Sequence, residues 1–239
     1  MFLVMHDLPE HLFANPAWNA LHGKHRHFAL SAGDACRYPA DVAPFGAVAA
    51  PTANALQQLY SLLSPGESIW LVGEAFPRIP ELAFQDTLEC LQMVLPANVV
   101  PPAATTAGNA EIVPLTDAHA SEMVALTDIA FPGFFRERTC EMGSYYGVRA
   151  GNGELIAMSG ERLMLEGYSE ISGVCTHPAH RGRGLAGRLM WQLVRNHRRD
   201  GLVSWLHVTA SNRRAIDLYH HMGFQTARTV MLHRVLRKD

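Results

Sequence analysis

The sequence predicts a mixed α/β (α+β) fold, and three observations carry that expectation. The stretch Glu170–Arg199, EISGVCTHPAHRGRGLAGRLMWQLVRNHRR, reads as a β-strand, a short basic glycine loop and an amphipathic helix. Gly151-Asn152-Gly153, between two apolar runs, is a hairpin signal. Beyond residue 110 the elements follow in the order β-α-(α)-β-β-β-α-β-α-β, a mixed sheet with a meander in its middle.

Taken in order, the first half is the harder to read. Weak strands are expected around Phe28–Leu30 and Phe45–Ala49, broken by Gly33, Pro39 and Pro44. A helix follows, capped by Thr52, with Ala55, Leu56, Leu59, Leu62 and Leu63 at helical spacing until Pro65-Gly66. Ser68–Gly73 and Leu88–Leu95 have strand character. Residues 96–110, PANVVPPAATTAGNA, lack charge and periodicity, so they are expected to link an N-terminal α/β domain (1–95) to a second domain (111–239). A long surface loop within one domain is the other reading of that segment.

The second half is sharper. Glu111–Leu115 is a strand, and Thr116 or Asp117 caps a helix bearing Met123, Leu126, Ile129 and Ala130. Tyr145–Ala150 and Glu154–Ser159 flank the hairpin, and Tyr168–Thr176 is the next strand. Leu185–Arg199 is helical, with Leu185, Leu189, Met190, Leu193, Val194 and His197 on one side. Val203–Ala210 is a strand, Ser211 or Asn212 to Met222 a helix closed by Gly223, and Phe224–Leu236 the final strand.

Composition narrows the function classes. With 48% hydrophobic and 18% charged residues the chain is an ordinary globular one. The opening MFLVM is too short for a signal-peptide core or a membrane span, so a cytoplasmic protein without membrane contact is expected. Cys36, Cys90, Cys140 and Cys175 are scattered without a Cys-x-x-Cys pair, which suits a reducing compartment and gives no metal pattern. Up to residue 110 there are four Lys/Arg against nine Asp/Glu, and beyond it sixteen against thirteen. Half of those sixteen lie between Arg181 and Arg214, a local cluster that suits a compact anionic ligand better than nucleic acid.

Gly182, Gly184 and Gly187 spell G-x-G-x-x-G, but the dinucleotide reading lacks its context. His177-Pro178-Ala179-His180 separates the glycines from their strand, and the next strand ends in Thr209-Ala210-Ser211 without a carboxylate. Read instead as Arg181-x-x-Gly184-x-Ala186, the loop resembles the acyl-CoA signature R/Q-x-x-G-x-G/A of the GNAT superfamily of N-acetyltransferases. Val174-Cys175-Thr176-His177-Pro178 resembles the family's V-x-x-x-P strand end, and NRRAIDLYHHMGF from Asn212 to Phe224 its last helix. The resemblance covers about residues 111–236, and its wording is similar to the glycine-N-acyltransferase-like branch.

The resemblance implies a GNAT fold in the C-terminal half, and a degenerate copy of it is a further expectation for the N-terminal half. It implies acetyl-CoA as co-substrate, without metal, and a small-molecule or peptide amine as acceptor. Arg181, Gly182, Arg183, Gly184, Leu185 and Ala186 would hold the pyrophosphate, which agrees with the physics of glycine backbone and helix N-terminus. Val174, Cys175 and Thr176 would hold the pantetheine arm and acyl carbonyl, with Asn212 as a further contact. Glu170 resembles the family's base glutamate, and Tyr219 the tyrosine that protonates the coenzyme A sulfur. His207, on the neighbouring strand, is a second candidate for the acceptor proton. Cys175 has no paired base in the sequence, so a covalent route is disfavoured.

Phe131, Phe134, Phe135, Arg136 and Tyr145 are candidates to line the acceptor site, and the N-terminal half would shape that site or offer a homodimer surface. The competing functions are a non-catalytic acyl-CoA-binding regulator and a nucleic-acid module built on the arginine cluster.

Overall fold

A computed structural model describes residues 8–102 and 111–239. The opening MFLVM and the 103–110 part of the expected linker lie outside the described residues.

The chain begins with two short helices, α1 (Glu10–Phe13) and α2 (Pro16–His22). They had no sequence signature, because neither is long enough to develop a helical period, but they bury Phe13, Ala17, Ala20 and Leu21. Strands β1 (Leu30–Ala32), β2 (Ala35–Arg37) and β3 (Gly46–Val48) form a small antiparallel sheet. Helix α3 (Ala53–Ser61) starts at Thr52, whose hydroxyl accepts from the Ala55 amide at 3.1 Å. Strands β4 (Ser68–Val72) and β5 (Leu82–Val94) complete the first half.

The second half runs β6 (Ile112–Leu115), α4 (Ala120–Ala130), β7 (Tyr145–Arg149), β8 (Leu155–Leu165), β9 (Tyr168–Thr176), α5 (Leu185–Arg199), β10 (Val203–Thr209), α6 (Arg213–His221) and β11 (Gln225–Arg237). These bounds follow the sequence expectation closely, except that β8 continues six residues past Ser159 to Leu165. Strands β4 to β11 form one eight-stranded sheet in the order β4-β11-β5-β10-β9-β8-β7-β6.

The sheet joins strands from both sides of residues 96–110, where the sequence leads us to expect a linker. Strand β5, assigned by sequence to a separate unit 1–95, lies antiparallel between β10 and β11, with Trp205 opposite Val94 and Val230 opposite Cys90. In return, β11 reaches back to β4, with Val235 opposite Ile69. Each half therefore gives its last strand to the other, and the sheet is continuous across the expected boundary. A local alternation pattern marks a strand but does not name its partner, which is why this exchange could not be read from residues 82–95.

Each half contains a strand–helix–strand connection. In the second, β9 connects through α5 to the parallel strand β10. In the first, β3 connects through α3 to β4, and a parallel bridge joins Phe45 to Trp70. The loop before α3, Ala49-Ala50-Pro51-Thr52, has neither glycine nor arginine. Trp205 fixes the junction: it is fully buried on β10 and meets Phe13 edge-on at 4.8 Å.

Residues 111–239 produced alone lack β5 and leave the edge of β10 open. Circular dichroism melts of that fragment should show no cooperative transition, and co-expression with residues 1–102 should restore one. A cooperative transition of the fragment by itself would show that the exchanged strand is dispensable.

Candidate active site

Parallel pairing of β9 and β10 covers only Val203–Tyr168, Ser204–Ser169 and Trp205–Glu170. Past that point the strands part, although β9 continues to Thr176 and β10 to Thr209. The edge of β9 from Ile171 onward is paired on its far side only, to β8, and a register slip near Gly173 re-aims it. Gly173 has φ +61°, a left-handed conformation that a side chain would strain. The parted strands open a cleft of about 670 Å³.

One end of the cleft is the basic loop. Gly184 caps α5 with φ +70°, so the amides opening the helix are unobstructed by a Cβ-bearing cap. Leu185, Ala186 and Gly187 line the cleft beside the exposed Arg181 and Arg183. Gly182 and Gly184 have nothing within 4 Å of a would-be Cβ, so conformation and not crowding selects glycine there. Asn212 caps α6, its Oδ1 accepting from the Ala215 amide at 3.2 Å, and also lines the cleft.

In the middle lie Val174, Cys175 and Thr176 on one wall and Tyr219 on the other. Burial pushes the Cys175 thiol up to about 12, which keeps it protonated and unsuited to nucleophilic attack. Burial likewise pushes the Tyr219 hydroxyl up to about 12, so it stays a donor at any working pH. Its ring packs near Phe224, at 6.1 Å between centroids.

Glu170 sits where β9 and β10 part, but behind the wall and fully buried. Its Oε1 accepts from Arg162 Nη2 at 2.6 Å and from His207 Nδ1 at 2.7 Å; its Oε2 accepts from Arg162 Nε at 3.0 Å and from the Leu163 amide at 3.1 Å. Burial works to raise its pKa, but Arg162 and then His207 outweigh it and hold the carboxyl down to about 2. Both oxygens of Glu170, expected as a base acting directly or through water, are thus bonded, and the residue lies outside the cleft lining.

His207 does line the cleft. With Nδ1–H donated to Glu170, its Nε2 accepts from the Gln92 amide at 3.0 Å, and Gln92 also donates to the Phe13 carbonyl at 3.0 Å. The Gln92 Oε1 is buried without a partner.

The far end is aromatic and apolar. Phe131, Phe134, Phe135 and Tyr145 line it, whereas Arg136 is not among the lining residues and donates to the Phe135 carbonyl at 3.1 Å. Leu88 and Cys90 come from the exchanged β5, and Leu232 from β11. Phe134 stacks on Trp70 at 5.4 Å, so the first half braces this end. Arg162 was not anticipated. The available signal was Glu161-Arg162 inside an apolar strand, a charged pair that must find buried partners. Glu161 finds His197, at 2.7 Å, in a second buried cluster away from the cleft.

Among the described residues no helix is long and apolar enough to cross a membrane, and no group of three His, Cys, Asp or Glu is placed to hold a metal.

A strand pair that parts over a glycine–arginine loop, with a tyrosine helix opposite, defines a GNAT-type fold and site. The Acetyltransferase (GNAT) family matches residues 114–224. A GNAT-family protein from Novosphingobium aromaticivorans DSM 12444 is 34% identical, with 95% of this chain and 98% of that one covered and a TM-score of 0.84. The chain belongs to the GNAT acetyltransferase family. The fold alone is shared with a GCN5-related N-acetyltransferase from Kribbella flavida (17% identity, 93% and 94% covered, TM-score 0.59). It is shared too with a GCN5-related N-acetyltransferase-like protein from Streptococcus suis 89/1591 (13%, 98% and 96%, 0.62). A search of curated proteins finds none that matches.

Proposed function

We propose that the protein transfers an acetyl or other short acyl group from acyl-CoA to an amine, by direct attack in a ternary complex. The observation that supports this best is that one cleft joins the basic loop, the unpaired edge of β9, the Tyr219 helix and an aromatic end. The wording of residues 170–186 and 206–224, with the two-part chain, favours the glycine-N-acyltransferase-like branch.

The residues suit the co-substrate. Arg181, Arg183 and the amides of Gly184 to Gly187 would hold its pyrophosphate. The open edge at Val174–Thr176 and Asn212 would bind the pantetheine arm as an added strand. Acyl-CoA, when bound, supplies an activated thioester. The amine nitrogen bonds to the acyl carbon, the carbon–sulfur bond breaks, one proton leaves the nitrogen and Tyr219 donates to the departing sulfur.

His207 takes the amine's proton through water, and Glu170 positions its ring. A proton on Nε2 requires the Gln92 amide to turn its unpartnered Oε1 toward the ring. His207→Gln should therefore lose turnover least at alkaline pH, where the amine arrives deprotonated; equal loss at every pH would remove the relay.

Coenzyme A release from acetyl-CoA with a panel of amines tests the whole reading. Intersecting initial-rate patterns are expected for a ternary complex. Acetyl-CoA binding with no release for any amine would favour the regulator reading.

A further inference from the structure

Gln92 lies on the exchanged strand β5 directly opposite His207 and is fully buried. Its amide nitrogen is 3.0 Å from the Phe13 carbonyl oxygen and 3.0 Å from His207 Nε2. A carbonyl oxygen only accepts, so the atom facing it is the amide nitrogen, whose second N–H is left for the ring. His207 Nε2 therefore accepts and carries no proton. Turning the amide would set Oε1 against the ring and the Phe13 carbonyl at once, and the two oxygens would repel. The fold instead leaves Oε1 buried without a partner, a cost that the two N–H bonds offset. Phe13 closes α1, and its ring meets Tyr168 at 5.0 Å and Trp205 at 4.8 Å edge-on, which fixes its carbonyl against β9 and β10.

The other side of the ring pulls the opposite way. Nδ1 donates to Glu170 Oε1 at 2.7 Å, and a carboxylate at that distance favours a second proton on the ring. Arg162 on β8 shares the carboxylate and weakens that pull. Other titratable groups that feel the Glu170 charge are neutral near pH 7. Burial keeps Tyr38 and Tyr145 protonated, pushes the Cys90 thiol up to about 11 and holds His25 down to about 4. Tyr219, on the α6 wall of the cleft, is protonated too.

We infer that Gln92 is a positioning residue for the His207 relay: pinned by the Phe13 carbonyl, its amide keeps Nε2 free of a proton against the pull of Glu170. A helix of the first half thereby sets the charge of a ring in the cleft. The inference deepens the acyl-transfer reading, and rests on it for the kinetic arm of its test alone. A base that already holds a proton accepts none. When Nε2 takes the amine's proton through water, the amide turns and Oε1 accepts from Nε2–H while facing the Phe13 carbonyl. That arrangement is unfavourable, so the proton passes to solvent water as the amide turns back.

Long-range 1H–15N spectra of the full chain read Nδ1 and Nε2 separately, with His207→Gln to assign the ring among the 13 histidines. At pH 7 the unaltered protein should show a proton on Nδ1 and none on Nε2. Gln92→Met keeps the length and apolar contact of the side chain and removes the N–H. Its ring should hold the second proton to about one pH unit higher than in the unaltered protein. With acetyl-CoA and the panel amine turned over fastest, kcat of Gln92→Met should fall about tenfold at the acid end and recover toward alkaline pH. A proton on Nε2 of the unaltered protein at pH 7 overturns the inference, as does a ring whose protonation Gln92→Met leaves where it was. A loss of kcat equal at every pH makes Gln92 a packing residue and overturns it too. Spectra as expected, with no transfer to any amine, leave the charge-setting role standing and overturn the acyltransferase reading instead.

Discussion

Replacing Glu170 by alanine should destabilise the protein by roughly 3–5 kcal/mol, measured by denaturant unfolding. The loss comes less from the pair's own attraction than from what is left behind. Arg162 would stay largely buried with its Nε and Nη2 unpaired, and the His207 Nδ1 and Leu163 amide would lose their acceptor. Glu170→Gln preserves the shape and should cost less, which separates charge from packing. The sign with pH is fixed by the direction of the shift. The carboxyl lies at about 2, below its ordinary 4.5, so its stabilisation is complete above about 4.5 and is lost as pH falls toward 2. The stability gap between the protein and Glu170→Gln should narrow over that window and stay flat above it. A gap that does not change between pH 5 and pH 2 would mean that the buried charge is not what the carboxylate contributes.

Wherever a feature is local, the sequence sufficed to find it. The bounds of β9 and α5 follow from alternation giving way to a 3.6-residue period across the glycine loop, and the Thr52 and Asn212 caps from side chains three residues before an amide they satisfy. Tyr219 was legible for the same reason, since its place on α6 is set by Asn212 and Gly223. What stayed hidden depends on contacts distant in sequence. Leu88 and Cys90 reach the aromatic end of the cleft only because β5 inserts beside β10, and Gln92 meets His207 across the same pairing. Glu170 was found, but its partners stayed hidden for a related reason. Its oxygens are consumed by Arg162, from a stretch of β8 that the hairpin reading ended before reaching, and by His207 from β10. Cationic partners that hold a carboxyl pKa down weaken it as a base, and only the folded structure shows which partners it has.

Tyr219→Phe is expected to lower kcat by roughly a hundredfold to a thousandfold while leaving acetyl-CoA affinity within about twofold. The separation follows from where the hydroxyl is proposed to act. The ring is buried against Ile216, Met222 and Phe224, and phenylalanine keeps all of that packing, so neither fold nor cleft shape should change. Only the oxygen is lost. In the ground state the thioester sulfur is a poor acceptor and gains little from that oxygen, whereas the sulfur gathers negative charge as the carbon–sulfur bond breaks. A phenol pushed up to about 12 by burial remains a donor through the whole of any practical pH range, so the deficit should be uniform with pH and not confined to its alkaline limb. Single-turnover kinetics with acetyl-CoA, alongside calorimetric titration of coenzyme A, measure the two quantities separately. A variant that weakens coenzyme A binding in proportion to its loss of rate would make Tyr219 a binding residue; unchanged turnover would leave it as packing on the inner face of α6.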